Sequence, residues 1–83
     1  MSEPTIVAEF DKSAKERVRV SFGTFRNADF IDVRLLAPFA GPAKEYAPTT
    51  RGVNLPLHLL PQLRAAVLEA ERQAVAAGLL GGS

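Results

Sequence analysis

The chain has no cysteine, no tryptophan, one methionine, one tyrosine and one histidine in 83 residues. Each shortage excludes a class of chemistry. Without cysteine there is no disulfide staple, no thiolate nucleophile and no thiolate metal site. His58 cannot build a metal cluster alone. Set in LPLHLL, beside a predicted helix start, it reads as a helix-start or surface residue rather than a base. Asp29 and Asp32 span a turn and a strand on opposite faces, so they form no carboxylate pair for acid–base work. AGPAKEY lacks the spacing of a phosphate-cradling glycine loop, and Ser13 and Ser21 lack the context of a nucleophile. The expectation is a protein that is not an enzyme and carries no cofactor or metal. No apolar run approaches the roughly 18 residues of a membrane span. The acidic start MSEPTIVAEF lacks the basic opening and apolar core of a signal peptide. The absence of cysteine fits the cytoplasm.

The chain reads as one domain over 1–83, with a core over 17–77 and flexible ends at 1–4 and 79–83. A chain of this length buries only roughly 60 to 65 % of its unfolded surface. A small core without staples commonly gains burial by self-association, which points to a homo-oligomer.

The net charge of +1 is bland, but its distribution is not. Residues 1–11 hold Glu3, Glu9 and Asp11, a net −3. Residues 12–55 hold Lys12, Lys15, Arg17, Arg19, Arg26, Arg34, Lys44 and Arg51 against Glu16, Asp29, Asp32 and Glu45, a net +4. Residues 56–83 balance to zero. The positive excess lies in the segment with strand patterning. It is either a solvated mixed-charge surface or an anion-facing one.

TIVAEF (5–10) has the composition of a short strand, and DKSAKE of a polar turn. RVRVSFGTF (17–25) alternates strictly, with Val18, Val20 and Phe22 on one face and Arg17, Arg19, Ser21, Gly23 and Phe25 on the other. RNAD (26–29) is a turn in which Asn27 tolerates a left-handed backbone. FIDVRLL (30–36) alternates again, so the two runs predict a β-hairpin. APFAGPA (37–43) is a loop. KEYAPTTRGVNL (44–55) predicts a further strand, irregular in its middle, with Pro48 at an edge or bulge and Gly52 at a kink or close approach. From Pro61 to Ala77 the residues are strong helix formers, with Gly78 as the stop. The stripe Leu60, Leu63, Val67, Ala70, Ala74 and Ala77 gives that helix one apolar face. The fold class is thus α+β: a curved antiparallel sheet of about four strands followed by one C-terminal helix. The helix is expected to cover the sheet face of Val18, Val20, Ile31 and Val33. The same stripe also suits a helix–helix contact between two chains.

The opposite face would then carry Arg17, Arg19, Phe25, Asp32 and Arg34. Binders of single strands combine a basic surface with aromatic platforms on a sheet. Phe25 leaves the core face by parity and joins the arginines, which makes it the candidate stacking ring. Phe30, Phe39 and Tyr46 are further candidates. Asp32 reads as a partner that positions Arg34.

The order of VRVSFGTFRNADFIDVR, a loop, and PTTRGVNLPLHLLPQL resembles the C-terminal domain of transcriptional positive cofactor 4, a coactivator family with bacterial members. The matching pieces are IDVR (31–34) and PTTRGVNL (48–55), and the resemblance covers about residues 17–70. It implies a homodimer with helices at the interface and curved sheets that form grooves for single-stranded DNA. It also implies roles for Phe25 as the groove aromatic, Arg26 as its basic neighbour, and Arg34 and Arg51 as further basic contacts. Arg17 and Arg19 complete the expected set. Gly52 would let the strand bend and hold Arg51 at the groove rim. The partners implied are single-stranded DNA, a second copy of the chain and the transcription machinery, with no membrane, in a nucleoid-associated setting. Where the family often has a tryptophan after the IDVR-type strand, this chain has none. Positions usually basic are neutral at Gly23, Ala28, Ala47 and Thr50, which predicts weaker binding than a typical member. Two alternatives stay open: RNA in the same groove, and a dimeric protein-interaction scaffold that has lost nucleic-acid binding.

Overall fold

The computed structural model describes residues 3–38 and 46–81. Four strands, β1 (Thr5–Ser13), β2 (Glu16–Phe25), β3 (Ala28–Pro38) and β4 (Tyr46–Pro56), form one antiparallel sheet in sequence order. A 3₁₀ turn over Leu57–Leu59 leads into helix α1 (Leu60–Ala76). The alternating runs therefore form the expected hairpin, with longer strands than the patterning suggests. β1 extends through the polar residues Asp11–Ser13, because ladder pairing to β2 continues to Ser13 opposite Glu16. The predicted loop at 37–43 begins later, since Ala37 and Pro38 pair with Ala47 and Tyr46. The rest of that loop, Phe39 included, lies outside the described residues.

The β2–β3 turn consists of Arg26 and Asn27, with φ of 53° and 64°. Two consecutive positive φ values give the tight turn whose twist matches that of the flanking strands. Asn27 suits such a position; Arg26 occupies it at some conformational cost. β4 is an edge strand, as Pro48 requires. Its ladder with β3 breaks between Gly52, opposite Arg34, and Pro48, opposite Leu36. Thr49 holds this irregular segment: its hydroxyl donates to the Leu35 carbonyl at 2.9 Å and accepts from the Arg51 N–H at 3.1 Å.

The helix starts with Pro61 in its first turn, where no intrahelical N–H is needed. It stops at Gly78, whose φ is 77°. There the N–H of Leu79 donates to the Ala74 carbonyl at 2.9 Å and that of Gly78 to the Val75 carbonyl at 3.0 Å. This is the paired closure of a left-handed C-terminal cap.

One expectation is overturned. The helix does not cover its own sheet. The 3₁₀ turn packs against β3, and among the described residues no strand packs along α1. Of its 17 residues only Leu63 and Ala74 are even half-buried, and Val67 and Leu68 are exposed. The apolar sheet face is likewise open: Phe10 is 57 %, Phe22 40 % and Val53 53 % exposed. Among the described residues only Ile31, Leu36 and Ser21 are buried. A one-sided apolar stripe states that a helix needs a cover; periodicity is blind to whether the cover belongs to the same chain.

The shape agrees. The Cα radius of gyration is 15.3 Å, where a compact chain of this length would have about 12 Å. The accessible surface is 6558 Å², against about 4,800 Å² for a folded monomer of this mass.

Candidate nucleic-acid interface

Register assigns the faces. β2 and β3 pair Arg17 with Leu36, Arg19 with Arg34, Ser21 with Asp32, Gly23 with Phe30 and Phe25 with Ala28. Because side chains alternate, these ten residues share one face. Ile6, Glu9 and Asp11 join it from β1, and Tyr46, Pro48, Gly52, Asn54 and Pro56 from β4. The sheet thus brings Arg17, Arg19, Phe25 and Arg34 to one surface, as the alternation predicts. Arg26 stands at its end in the hairpin turn. Arg51 lies at its rim, in the irregular part of β4.

The arginines on this face are not free. The Arg34 guanidinium donates through Nε at 3.2 Å and Nη2 at 2.5 Å to the two carboxylate oxygens of Asp32, and through Nη1 to the Thr49 carbonyl at 3.4 Å. Asn54 donates to the same carboxylate at 3.1 Å. Burial alone would push the Asp32 carboxyl up. The hydrogen bonds from Arg34 and Asn54, with the charge of Arg34, outweigh it and hold the carboxyl below its ordinary value. The hydrogen bond that Arg34 donates to Asp32 in turn raises Arg34 further. Asp32 therefore positions Arg34, as the sequence suggests. Gly52 makes this possible by close approach. A Cβ there would clash with the Val33 carbonyl oxygen and stand 3.2 Å from the Arg34 guanidinium carbon.

Asp11 accepts from the Arg17 Nε at 3.1 Å and Glu9 from the Arg19 Nε at 2.7 Å. Arg51 pairs with Glu16. Lys12 donates to the same carboxylate at 3.0 Å, and that bond, helped by the Lys12 and Arg51 charges, holds Glu16 below its ordinary value. Arg26 has no carboxylate partner among the described residues. Its guanidinium lies over the Phe25 ring, 5.1 Å from the centroid.

Three rings stand on this face. Phe25 is 51 % exposed at the end of β2. The Phe30 ring lies across Gly23, where a Cβ would come within 3.1 Å of it, so the neutral residue at that position makes room for an aromatic. Tyr46 carries the Arg17 guanidinium 4.7 Å from its centroid and donates its hydroxyl to the Ala14 carbonyl at 3.4 Å. Tyr46 had only its type and its place beside the loop to recommend it in the sequence. Its pairing with Arg17 is set by a cross-sheet register that the sequence does not display.

Among the described residues no group of histidine and acidic side chains could hold a metal ion, and no helix is long and apolar enough to cross a membrane.

No family model and no curated protein matches the chain in sequence. Solved structures do match. A PC4 homologue from Burkholderia pseudomallei superposes in its tetragonal crystal form with a TM-score of 0.71 at 29 % identity, over 83 % of this chain and 98 % of that one. Its orthorhombic form gives 0.72 at 29 %, over 87 % and 95 %. A bacteriophage T5 homologue of the eukaryotic transcription coactivator PC4, implicated in recombination-dependent DNA replication, matches in fold with a TM-score of 0.60 at 17 % identity, over 94 % and 85 %.

Proposed function

We propose that this PC4-like chain of the bacterial type is a non-enzymatic, dimeric single-stranded DNA-binding protein that acts with little sequence preference, as a coactivator-type protein of transcription or in DNA replication and repair. The observation that carries this reading is the single sheet face on which Phe25, Phe30 and Tyr46 stand among Arg17, Arg19 and Arg34. Rings offer stacking to any base, and guanidinium groups offer forked donors to the backbone phosphates. Arg26 and Arg51 extend the basic set at the turn and the rim.

The uncovered α1 stripe and the open apolar sheet face support the dimeric part of this reading. The surface exceeds that of a compact monomer by roughly 1,700 Å². A standard interface removes about 800 Å² from each partner, so the excess is about twice what such an interface needs from one chain.

Fluorescence anisotropy with labelled oligo-dT, the RNA counterpart and a duplex tests the reading. Salt-sensitive binding to oligo-dT in preference to duplex is expected. Phe25→Ala should keep the fold, since the ring is exposed, and weaken single-strand binding by about 1 to 3 kcal/mol. Equal affinity of Phe25→Ala and the parent would place the ring outside the groove. Preference for the RNA strand would assign the face to RNA. Absence of binding to any strand, by the parent and by the charge variants described below, would leave a protein-interaction scaffold.

A further inference from the structure

We infer that β1 is an internal competitor for this face: Glu9 and Asp11 hold Arg17 and Arg19 where the phosphates of a bound strand would otherwise take them. The inference rests on the nucleic-acid reading above.

The charge segregation of the sequence motivates it. The net −3 of residues 1–11 and the net +4 of residues 12–55 meet side by side in the fold, because β1 pairs with β2 along its whole length. Glu9 stands opposite Arg19 and Asp11 opposite Arg17, all on the charged face. The bonds are direct, at 2.7 and 3.1 Å, and Glu9 also approaches Arg17 at 3.9 Å. A carboxylate at these distances uses the same guanidinium donors that a phosphate oxygen would use. The chain before β1 adds cover. The Pro4 Cα lies 3.2 Å from where a Gly23 Cβ would be, on the side of the Phe30 ring, so the segment crosses the face near its aromatic end. With Asp32 on Arg34, each arginine of β2 and β3 on this face already has a carboxylate.

These two pairs are built to be displaced. β1 is an edge strand, exposed throughout, with ladder irregularities at Ile6/Ala8 and Asp11/Ser13. The Asp11–Arg17 pair is solvent-exposed and the Glu9–Arg19 pair still about a quarter so, and ion pairs open to solvent are individually weak. Asp32 differs, since its side chain is only 13 % exposed and also bonded to Asn54, and stays with Arg34. The competition leaves a mark in the salt dependence. A phosphate that binds Arg17 or Arg19 releases a counterion from the strand, but the displaced carboxylate takes up a cation from solution. The net release is smaller than the number of arginines would suggest.

The test compares the parent with Glu9→Gln, Glu9→Gln/Asp11→Asn and, as a control of equal charge change to the single variant, Glu71→Gln on the exposed part of α1. Anisotropy with labelled oligo-dT is read across a salt series, and circular dichroism checks the fold. If the double variant fails to fold, the isosteric Glu9→Gln decides. The double variant should bind about 2- to 30-fold tighter, as expected for two exposed pairs removed. Its salt slope should be steeper by up to about 0.7 for each arginine freed. Binding by the double variant where the parent shows none would support the inference equally. An unchanged affinity in a parent that binds would overturn the inference and leave the nucleic-acid reading standing. An equal gain from Glu71→Gln and Glu9→Gln would also overturn it, since net charge alone would then be the cause. Failure of every protein to bind would overturn both.

Discussion

Asp32 shows how one side chain sets another on this face. It is the point where Arg34, Asn54 and, through Arg34, the irregular β4 segment are joined. Its folded-state carboxyl titrates below the ordinary value of 3.8. The stabilisation it brings is therefore complete above that ordinary value and is lost as pH falls through the lower folded value. Urea midpoints measured from about pH 6 to pH 2 should fall more steeply at the acid end for the parent than for Asp32→Asn. The variant should also be less stable at neutral pH, because an amide cannot accept both guanidinium bonds. Parallel acid limbs for the two proteins would show that Asp32 contributes nothing to acid sensitivity. Gly52 belongs to the same scale: a Cβ there would clash with the Val33 carbonyl oxygen and crowd the Arg34 guanidinium, whose carbon would be 3.2 Å away.

At the scale of elements, the β2–β3 hairpin combines structural cost with a candidate contact. Arg26 adopts φ of 53°, a region that costs a residue with a Cβ roughly 1 to 2 kcal/mol. Its side chain gains only a solvent-exposed stack on Phe25. Arg26→Gly should therefore raise stability, by up to about 1 kcal/mol, while it weakens single-strand binding and flattens the salt slope by about 0.7. Denaturant unfolding and an anisotropy salt series measure the two effects separately. A variant that is more stable and binds unchanged would remove Arg26 from the interface. The helix is a contrasting element. Its N-terminal proline and left-handed C-terminal cap define its ends locally, yet among the described residues no strand packs along its stripe.

At the scale of the whole molecule, Val67 separates a lone chain from a dimer. In the single chain it is 59 % exposed. A charge there would be near neutral for a monomer, within about 0.5 kcal/mol. In a helix-mediated dimer the same change buries a charge at the interface. Val67→Glu should therefore halve the mass measured by light scattering or unfold the protein, and the melting temperature of the parent should rise with concentration. A monomer mass for the parent at micromolar concentration would reject the dimer.

Local chemistry is what the sequence determined. Strict alternation set the hairpin and divided Arg17, Arg19, Phe25 and Arg34 from Val18, Val20, Ile31 and Val33, because side-chain direction in a strand depends only on parity. Pro61 and Gly78 marked the helix because their backbone constraints act within a turn. The charge segregation along the chain was also legible. Tertiary structure decided the rest. Only pairing register put Glu9 and Asp11 on Arg19 and Arg17, Tyr46 under Arg17 and Phe30 across Gly23. Only the exit of the chain from β4 through the 3₁₀ turn carried α1 away from the sheet that its stripe was expected to cover. Alternation and helical period report that a surface must be covered. Which surface meets it is a long-range choice, fixed by register and by the direction in which the chain leaves each element.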